Sequence, residues 1–126
     1  MRKQFPYDGN FDPPAPVLPL RVAAPGGENA VLLPALVDTG ADCTLIPRAV
    51  SRHLALPRID RLRLEGIEGI ARPAPVYAAT VEFAGRRLLA RVVAYGEETI
   101  VGRDLLSRVT AHLDGPRRLL SISITR

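Results

Sequence analysis

The run Ala30-Val31-Leu32-Leu33-Pro34-Ala35-Leu36-Val37 leads directly into Asp38-Thr39-Gly40-Ala41-Asp42, and this junction constrains the chain more than any other stretch. An apolar run of that length, bounded by turn residues, reads as a buried strand. A carboxylate at the end of such a strand is costly unless it is hydrogen-bonded or put to use. Thr39 adds a hydroxyl, and Gly40 lets the backbone turn tightly. The tripeptide alone is a weak signal, because three residues recur by chance. A turn aspartate that caps backbone N–H groups is the structural alternative.

The surrounding pattern is extended nearly throughout. Val17–Ala23 reads as a strand, and Pro19 marks it as an edge. After the loop, 44–46 resumes as a short strand, and Pro47 opens a helix through Leu54. Residues 62–65 alternate in polarity, Gly66-Ile67-Glu68-Gly69-Ile70 interrupts, and 76–83 is extended again, which predicts a hairpin with a glycine-rich tip. Further strands are expected at 88–94, 99–101, 109–113 and 119–124, with a helical turn or two at 103–108. The sum is a mostly-β fold with one or two short helices. Residues 1–15 hold Pro6, Gly9, Asn10, Pro13 and Pro14 and read as an irregular Pro-rich arm. Residues 16–126 read as one domain.

Composition excludes several classes. At 126 residues, 47% hydrophobic and 24% charged, the chain is an ordinary globular one and large enough for a core of its own. The single cysteine, Cys43, allows neither an intrachain disulfide nor a cysteine-based zinc site, and His53 and His112 stand isolated, so no metal is expected. No apolar run is long enough for a membrane helix, and no apolar stretch follows the basic start, so no membrane contact and a cytoplasmic location are expected. The net charge is +4 and Lys3 is the only lysine. Nucleic-acid binding is not expected, because aromatics are 5% with no tryptophan to stack on bases.

A second segment raises the value of the first. Ile100-Val101-Gly102-Arg103-Asp104-Leu105-Leu106 resembles the apolar-apolar-Gly-Arg-Asp/Asn-Leu-Leu element that follows the last core strand of retropepsin-like aspartic proteases. Val37-Asp38-Thr39-Gly40-Ala41-Asp42 resembles the catalytic loop of the same family, and Gly66-Ile67-Glu68-Gly69 falls between the two, where that family places its flap. Leu113-Asp114-Gly115-Pro116 before a last strand is similar to bacterial members. The matches occur in the expected order.

The resemblance implies a closed, barrel-like β domain with a flap hairpin, working as a two-fold homodimer. It implies an aspartic endopeptidase, without a cofactor, acting on extended peptide or protein substrates. Asp38, Thr39 and Gly40 would be catalytic; Ala41, Asp42, Gly66, Ile67, Glu68, Gly69 and Ile70 would bind substrate. Gly102, Arg103 and Asp104 would give structural support, with Arg103 pairing Asp42. The chain carries one Asp-Thr-Gly, so the second catalytic carboxylate would be Asp38 of a second copy. Leu120, Ile122 and Ile124 suit either the core or an intersubunit sheet, and the resemblance favours the sheet. Two departures stand out: Glu68 replaces a glycine frequent at the flap tip, and Arg72-Pro73 stiffens the return strand. The alternatives are a catalytically silent dimer of this fold that binds peptides and, less favoured, a basic nucleic-acid-binding β domain.

Overall fold

The computed structural model describes residues 2–65 and 69–124. Ten strands and two short helices follow in the order β1 (Arg2–Pro6), β2 (Val17–Ala23), β3 (Ala30–Val37), β4 (Leu45–Ile46), α1 (Arg48–His53), β5 (Arg58–Glu65), β6 (Ala71–Phe83), β7 (Arg86–Ala94), β8 (Ile100–Val101), α2 (Arg103–Leu106), β9 (Thr110–Asp114) and β10 (Leu119–Ser123). A seven-stranded mixed sheet runs β2-β3-β8-β4-β7-β6-β5, and a further pairing of β2 with β6 curls it toward a barrel. The mostly-β, barrel-like expectation therefore holds. None of the described helices is long and apolar enough to cross a membrane.

Strand alternation explains the core. In β2, Leu18, Leu20 and Val22 are fully buried while Pro19 and Arg21 are exposed. β6 repeats the pattern with Ala79, Val81 and Phe83, and these side chains meet Ile46, Val92, Val101 and Leu105 in one cluster. A second, smaller cluster gathers Ala74, Val76 and Val93 with half-buried Cys43, Leu45, Leu62 and Leu64.

Prolines sit where a ladder has only one partner. Pro19 pairs with Pro34 of β3, whereas β6 reaches β2 only at Arg21–Ala23. Pro73 and Pro75 pair with β5, and β7 joins β6 only from Val76 onward. A missing N–H costs nothing on an unpaired side. β6 can therefore begin at Ala71, further toward the hairpin tip than alternation alone suggests, while β5 starts earlier, at Arg58.

Two expectations need correction. Residues 1–15 are not wholly irregular: β1 pairs antiparallel with β10 in a three-stranded sheet β1-β10-β9, Tyr7 N–H donates to the Arg118 carbonyl at 2.9 Å, and Asp8 bridges to Ala15. The polar, Pro-rich composition hid a strand whose partner lies at the opposite end of the chain. Leu120 and Ile122 are not presented to a partner. They are 0% and 1% exposed inside the chain's own main cluster, because the β10 face toward the barrel is covered by it.

Candidate active site

Asp38 follows β3 directly, and the backbone around it is fixed from β8. The short parallel pairing of β3 with β8 aligns Leu36 with Ile100 and Val37 with Val101. Asp38 N–H then donates to the Val101 carbonyl at 3.0 Å. Beyond that bond the chain turns. Ala41 N–H donates to the Asp38 carbonyl at 3.2 Å, and Gly40 N–H donates to Asp38 Oδ1 at 2.9 Å. The carboxylate is thus oriented by its own loop and remains half-exposed, beside exposed Thr39 and Gly40. A methyl group on Gly40 would stand 3.2 Å from Asp38 Oδ1, so the glycine leaves the acid free to take its position.

Helix α2 clamps the other side of the loop. Arg103 N–H donates to the Ala41 carbonyl at 2.8 Å, and its guanidinium donates to the Thr39 carbonyl at 2.8 Å while pairing with the Asp42 carboxylate. Asp42 and Arg103 are both largely exposed. An exposed pair of this kind adds little stability by itself. Its value is positional, because one planar group spans the loop from Thr39 to Asp42.

Below the loop lies a buried polar hub that sequence reasoning missed. Thr44 is completely buried. Its hydroxyl donates to Asp104 Oδ1 at 2.8 Å and accepts from Gly102 N–H at 3.2 Å, and its own N–H donates to Asp104 Oδ2 at 3.1 Å. Asp104 Oδ1 also accepts from Leu105 N–H in the first turn of α2. One threonine and one aspartate therefore tie the exit of the loop to the start of α2. The only trace in the sequence is a hydroxyl residue opening a two-residue apolar strand.

Gly102 completes the junction. An added Cβ would meet backbone on every side: the Ala41 carbonyl oxygen at 2.9 Å, the Cys43 carbonyl carbon at 2.7 Å, and the Cys43 oxygen closer still. Cys43 itself is half-buried. Burial pushes its thiol above the usual range, and the negative charges of Asp104 and Asp42 push the same way. Those influences leave it a thiol at neutral pH, not a nucleophile.

The remaining sequence-derived site residues divide. Ala41 and Asp42 lie in the loop with Asp38. Gly66, Ile67 and Glu68 lie outside the described residues. Gly69 has φ +73° and Ile70 is 56% exposed, just before the Glu65–Ala71 pair that starts the β5–β6 ladder. A cavity of about 340 Å³ opens beside the loop between Asp42, Cys43, Leu62, Val76, Arg91 and Asp104. The larger hollow, about 460 Å³ between Phe5, Tyr7, Pro19, Leu32 and Leu33, touches no loop residue. The smaller one borders the loop through Asp42 and Cys43, and Asp38 is not among its lining residues.

Comparison with known proteins narrows the meaning of this geometry. No family model matches the chain. No curated protein matches it. Solved structures do. The EIAV protease complexed with the inhibitor HBY-793 superposes with a TM-score of 0.57 and 26% identity, covering 74% of this chain and 86% of its own. A retropepsin-like aspartic protease from Rickettsia conorii superposes with a TM-score of 0.60 and 16% identity, covering 98% of this chain and 93% of its own. The chain has the retropepsin-like aspartic protease fold. The Rickettsia structure matches nearly end to end, so the resemblance includes the stretches outside the motif segments. Within this retropepsin-like fold, Asp38 occupies the junction of β3 and β8, half-exposed and in no ion pair among the described residues.

Proposed function

We propose that this protein is a homodimeric aspartic endopeptidase in which Asp38 of each copy supplies half of the catalytic dyad. The observation that carries the reading is the Asp38–Ala41 loop: its carboxylate is oriented by Gly40 N–H, its backbone is pinned to Val101 and Arg103, and its side chain stays accessible. Ordering a carboxylate this closely while leaving it in contact with solvent suits a reacting group better than a structural one.

Peptide hydrolysis of this kind needs two carboxylates and one proton between them. Two carboxyl groups about 3 Å apart cannot both ionise, an effect for which aspartic proteases are the standing example. The ionised Asp38 takes a proton from water as the water oxygen bonds to the scissile carbonyl carbon. The protonated Asp38 of the second copy gives its proton to the carbonyl oxygen. The tetrahedral intermediate then collapses: the C–N bond breaks as the leaving nitrogen takes the proton held by the first Asp38, and one hydroxyl of the intermediate returns its proton to the second, which restores the singly protonated dyad. One chain offers one such acid at the loop, so a two-fold axis beside Asp38 supplies the other.

Substrate would lie extended along the loop. The cavity beside Asp42 would receive one of its side chains. Ala41 stands where a hydroxyl could donate to Asp38, so the carboxylate depends on Gly40 N–H for its local donor.

The test is a peptide-library cleavage assay on the wild type and Asp38→Asn, each followed from weakly acidic to neutral pH. Loss of cleavage in the variant, with folding retained, supports the protease. Equal cleavage by both traces the activity to a contaminant. Folded dimers of both proteins that bind peptides but cut none would favour the silent binding module.

A further inference from the structure

We propose that the outer face of β2 and β3, walled by β1 and the arm that follows it, is a docking trough for a proline-rich segment of a partner protein, basic at one end of the segment and acidic at the other. The trough lies outside the loop at Asp38. Its use in selecting substrates rests on the protease reading above; the trough itself does not.

The floor comes from strand register. Val17, Pro19 and Arg21 of β2 stand directly opposite Leu36, Pro34 and Leu32 of β3, so all of them share one face. Leu18, Leu20 and Val22 point the other way, into the core. The outward face of a half-buried sheet is ordinarily polar, yet Arg21 is the one charged residue on this stretch of it. Leu32 is 63% exposed, and Pro19 and Pro34 are exposed beside it. Phe5 and Tyr7 form a wall, resting on the main cluster from outside. Phe11, also exposed, stands at the end near Leu36. The chain has three phenylalanines, three tyrosines and no tryptophan, and half of these aromatic side chains border this one trough.

Three hollows adjoin along this face. The central one, about 460 Å³, shares Phe5, Pro19 and Leu32 with a hollow of about 280 Å³ on one side, and Asp8, Val17 and Pro34 with one of about 300 Å³ on the other. From Val17 to Arg21 the floor runs about 13 Å, at about 3.3 Å per strand residue. A polyproline helix rises about 3.1 Å per residue, so about five residues cover the floor and about eight reach both ends.

Chemistry selects the occupant. The floor offers side chains rather than backbone, because the unbroken β2–β3 ladder engages the main chain beneath it. A polyproline helix suits such a surface: it has no internal hydrogen bonds, its backbone stays solvated, and its rings pack on aromatic and apolar side chains. Charge sets its direction. At one end Asp8 and Glu98 line the same hollow, Asp8 Oδ1 is fixed by Asn10 N–H at 2.8 Å, and neither carboxylate is in an ion pair among the described residues. At the other end Lys3 and Arg21 outnumber Glu82. The segment therefore carries an arginine or lysine beside Asp8 and Glu98, and a carboxylate beside Lys3 and Arg21. β3 places Leu32 and Pro34 in the floor and leads straight into Asp38, so a protein held in the trough lies one short strand away from the acid.

The test titrates the full chain into a fluorescently labelled proline-rich octapeptide, with arginine at one terminus and glutamate at the other, and follows anisotropy. The wild type should bind it. Leu32→Glu and Phe11→Ala, both at exposed side chains, should each weaken binding about tenfold with an unchanged far-ultraviolet spectrum. Glu98→Lys should weaken it as well, and replacing the peptide's arginine by glutamate should restore binding to that variant. Asp38→Asn should bind as the wild type does. Equal binding of a valine–threonine peptide with the same terminal charges overturns the proposal in favour of strand addition at β1. A sedimenting mass that halves in Leu32→Glu overturns it in favour of a second copy seated on the trough. No binding by the wild type, or undiminished binding by Leu32→Glu, overturns it outright. In the cleavage assay, a substrate carrying the proline-rich segment should show a lower KM than one without it, at unchanged kcat, and Leu32→Glu should erase the difference. Docking without any cleavage leaves the trough standing and overturns the protease; cleavage that needs Asp38, with no docking, does the reverse.

Discussion

Around Asp38 nearly every fixing contact is polar and made to backbone: Val101 and Arg103 hold the loop's main chain, while Thr44 and Asp104 hold its exit from beneath. The β5–β6 hairpin across the fold is built from other material. Five of the eight residues of β5 are charged, and its apolar support is the small cluster of Ala74, Val76 and Val93 with Leu62 and Leu64 half-buried against it. The first region has one arrangement that satisfies its buried groups, and displacing any of them leaves a donor or acceptor unpaired. The second has many solvated ones at little cost. On the proposed function, a cleft with one fixed wall and one yielding wall would hold its acid still while admitting a bulky chain.

The sharpest way to break this contrast is at Gly102. Gly102→Ala forces a methyl group against the Ala41 and Cys43 carbonyls. Backbone on all sides leaves no side chain to move aside, so a loss of about 3 kcal/mol in denaturant unfolding is expected, with activity lost in step. A stability change within experimental error would show that the junction yields as readily as the hairpin. Thr44→Val is next. It keeps the shape but removes the hydroxyl, stranding Gly102 N–H and leaving Asp104 Oδ1 with Leu105 N–H as its one donor. A cost of about 2 kcal/mol is expected, and Thr44→Ser should recover most of it.

On the yielding side the effects shrink. Leu62→Ala trims a half-buried side chain that also lines the cavity beside Asp42. About 1 kcal/mol of stability should go, and in the cleavage assay KM should rise while kcat holds. A fall in kcat to match the loop variants would mean that the hairpin positions the acid after all.

The smallest effect is set by pH. Asp60 is held below the usual carboxylate range, first by Arg61 N–H and then by the Arg91 side chain, which ties β5 to β7 across β6. A depressed value means stability present at neutral pH and lost as pH falls through the folded-state value. The melting temperature of the wild type should therefore exceed that of Asp60→Asn slightly at pH 7. The gap should begin to close below about pH 4, the ordinary aspartate range. A gap that widens on acidification would contradict the assignment.

What could be read from the sequence follows the same division. The loop and the start of α2 were legible because their residues are chemically restrictive: an acid after an apolar strand, and a glycine where backbone crowds in. The central strands were legible because alternation at Leu18, Leu20 and Val22 mirrors one-sided burial. Thr44 was not, since a buried hydroxyl looks like any other threonine until its partners, 58 and 60 positions away, are known. β1 was obscured by its exposed, polar residues, whose order depends on a ladder to β10 rather than on local preference. Leu120 and Ile122 suited a core or an interface equally by composition; only the packing of β10 on the main cluster decides between them.

The hub at Thr44 carries a consequence for the order in which the molecule is made. Asp38, Thr39 and Thr44 precede their holders by about half of the sequence: Thr44 waits on Asp104, 60 positions later, and Thr39 on Arg103, 64 positions later. Contacts so distant along the chain form late in folding. A chain emerging from the ribosome would therefore carry an unorganised acid until its final quarter had joined the sheet, and on the proposed function it would be held inactive while still being synthesised.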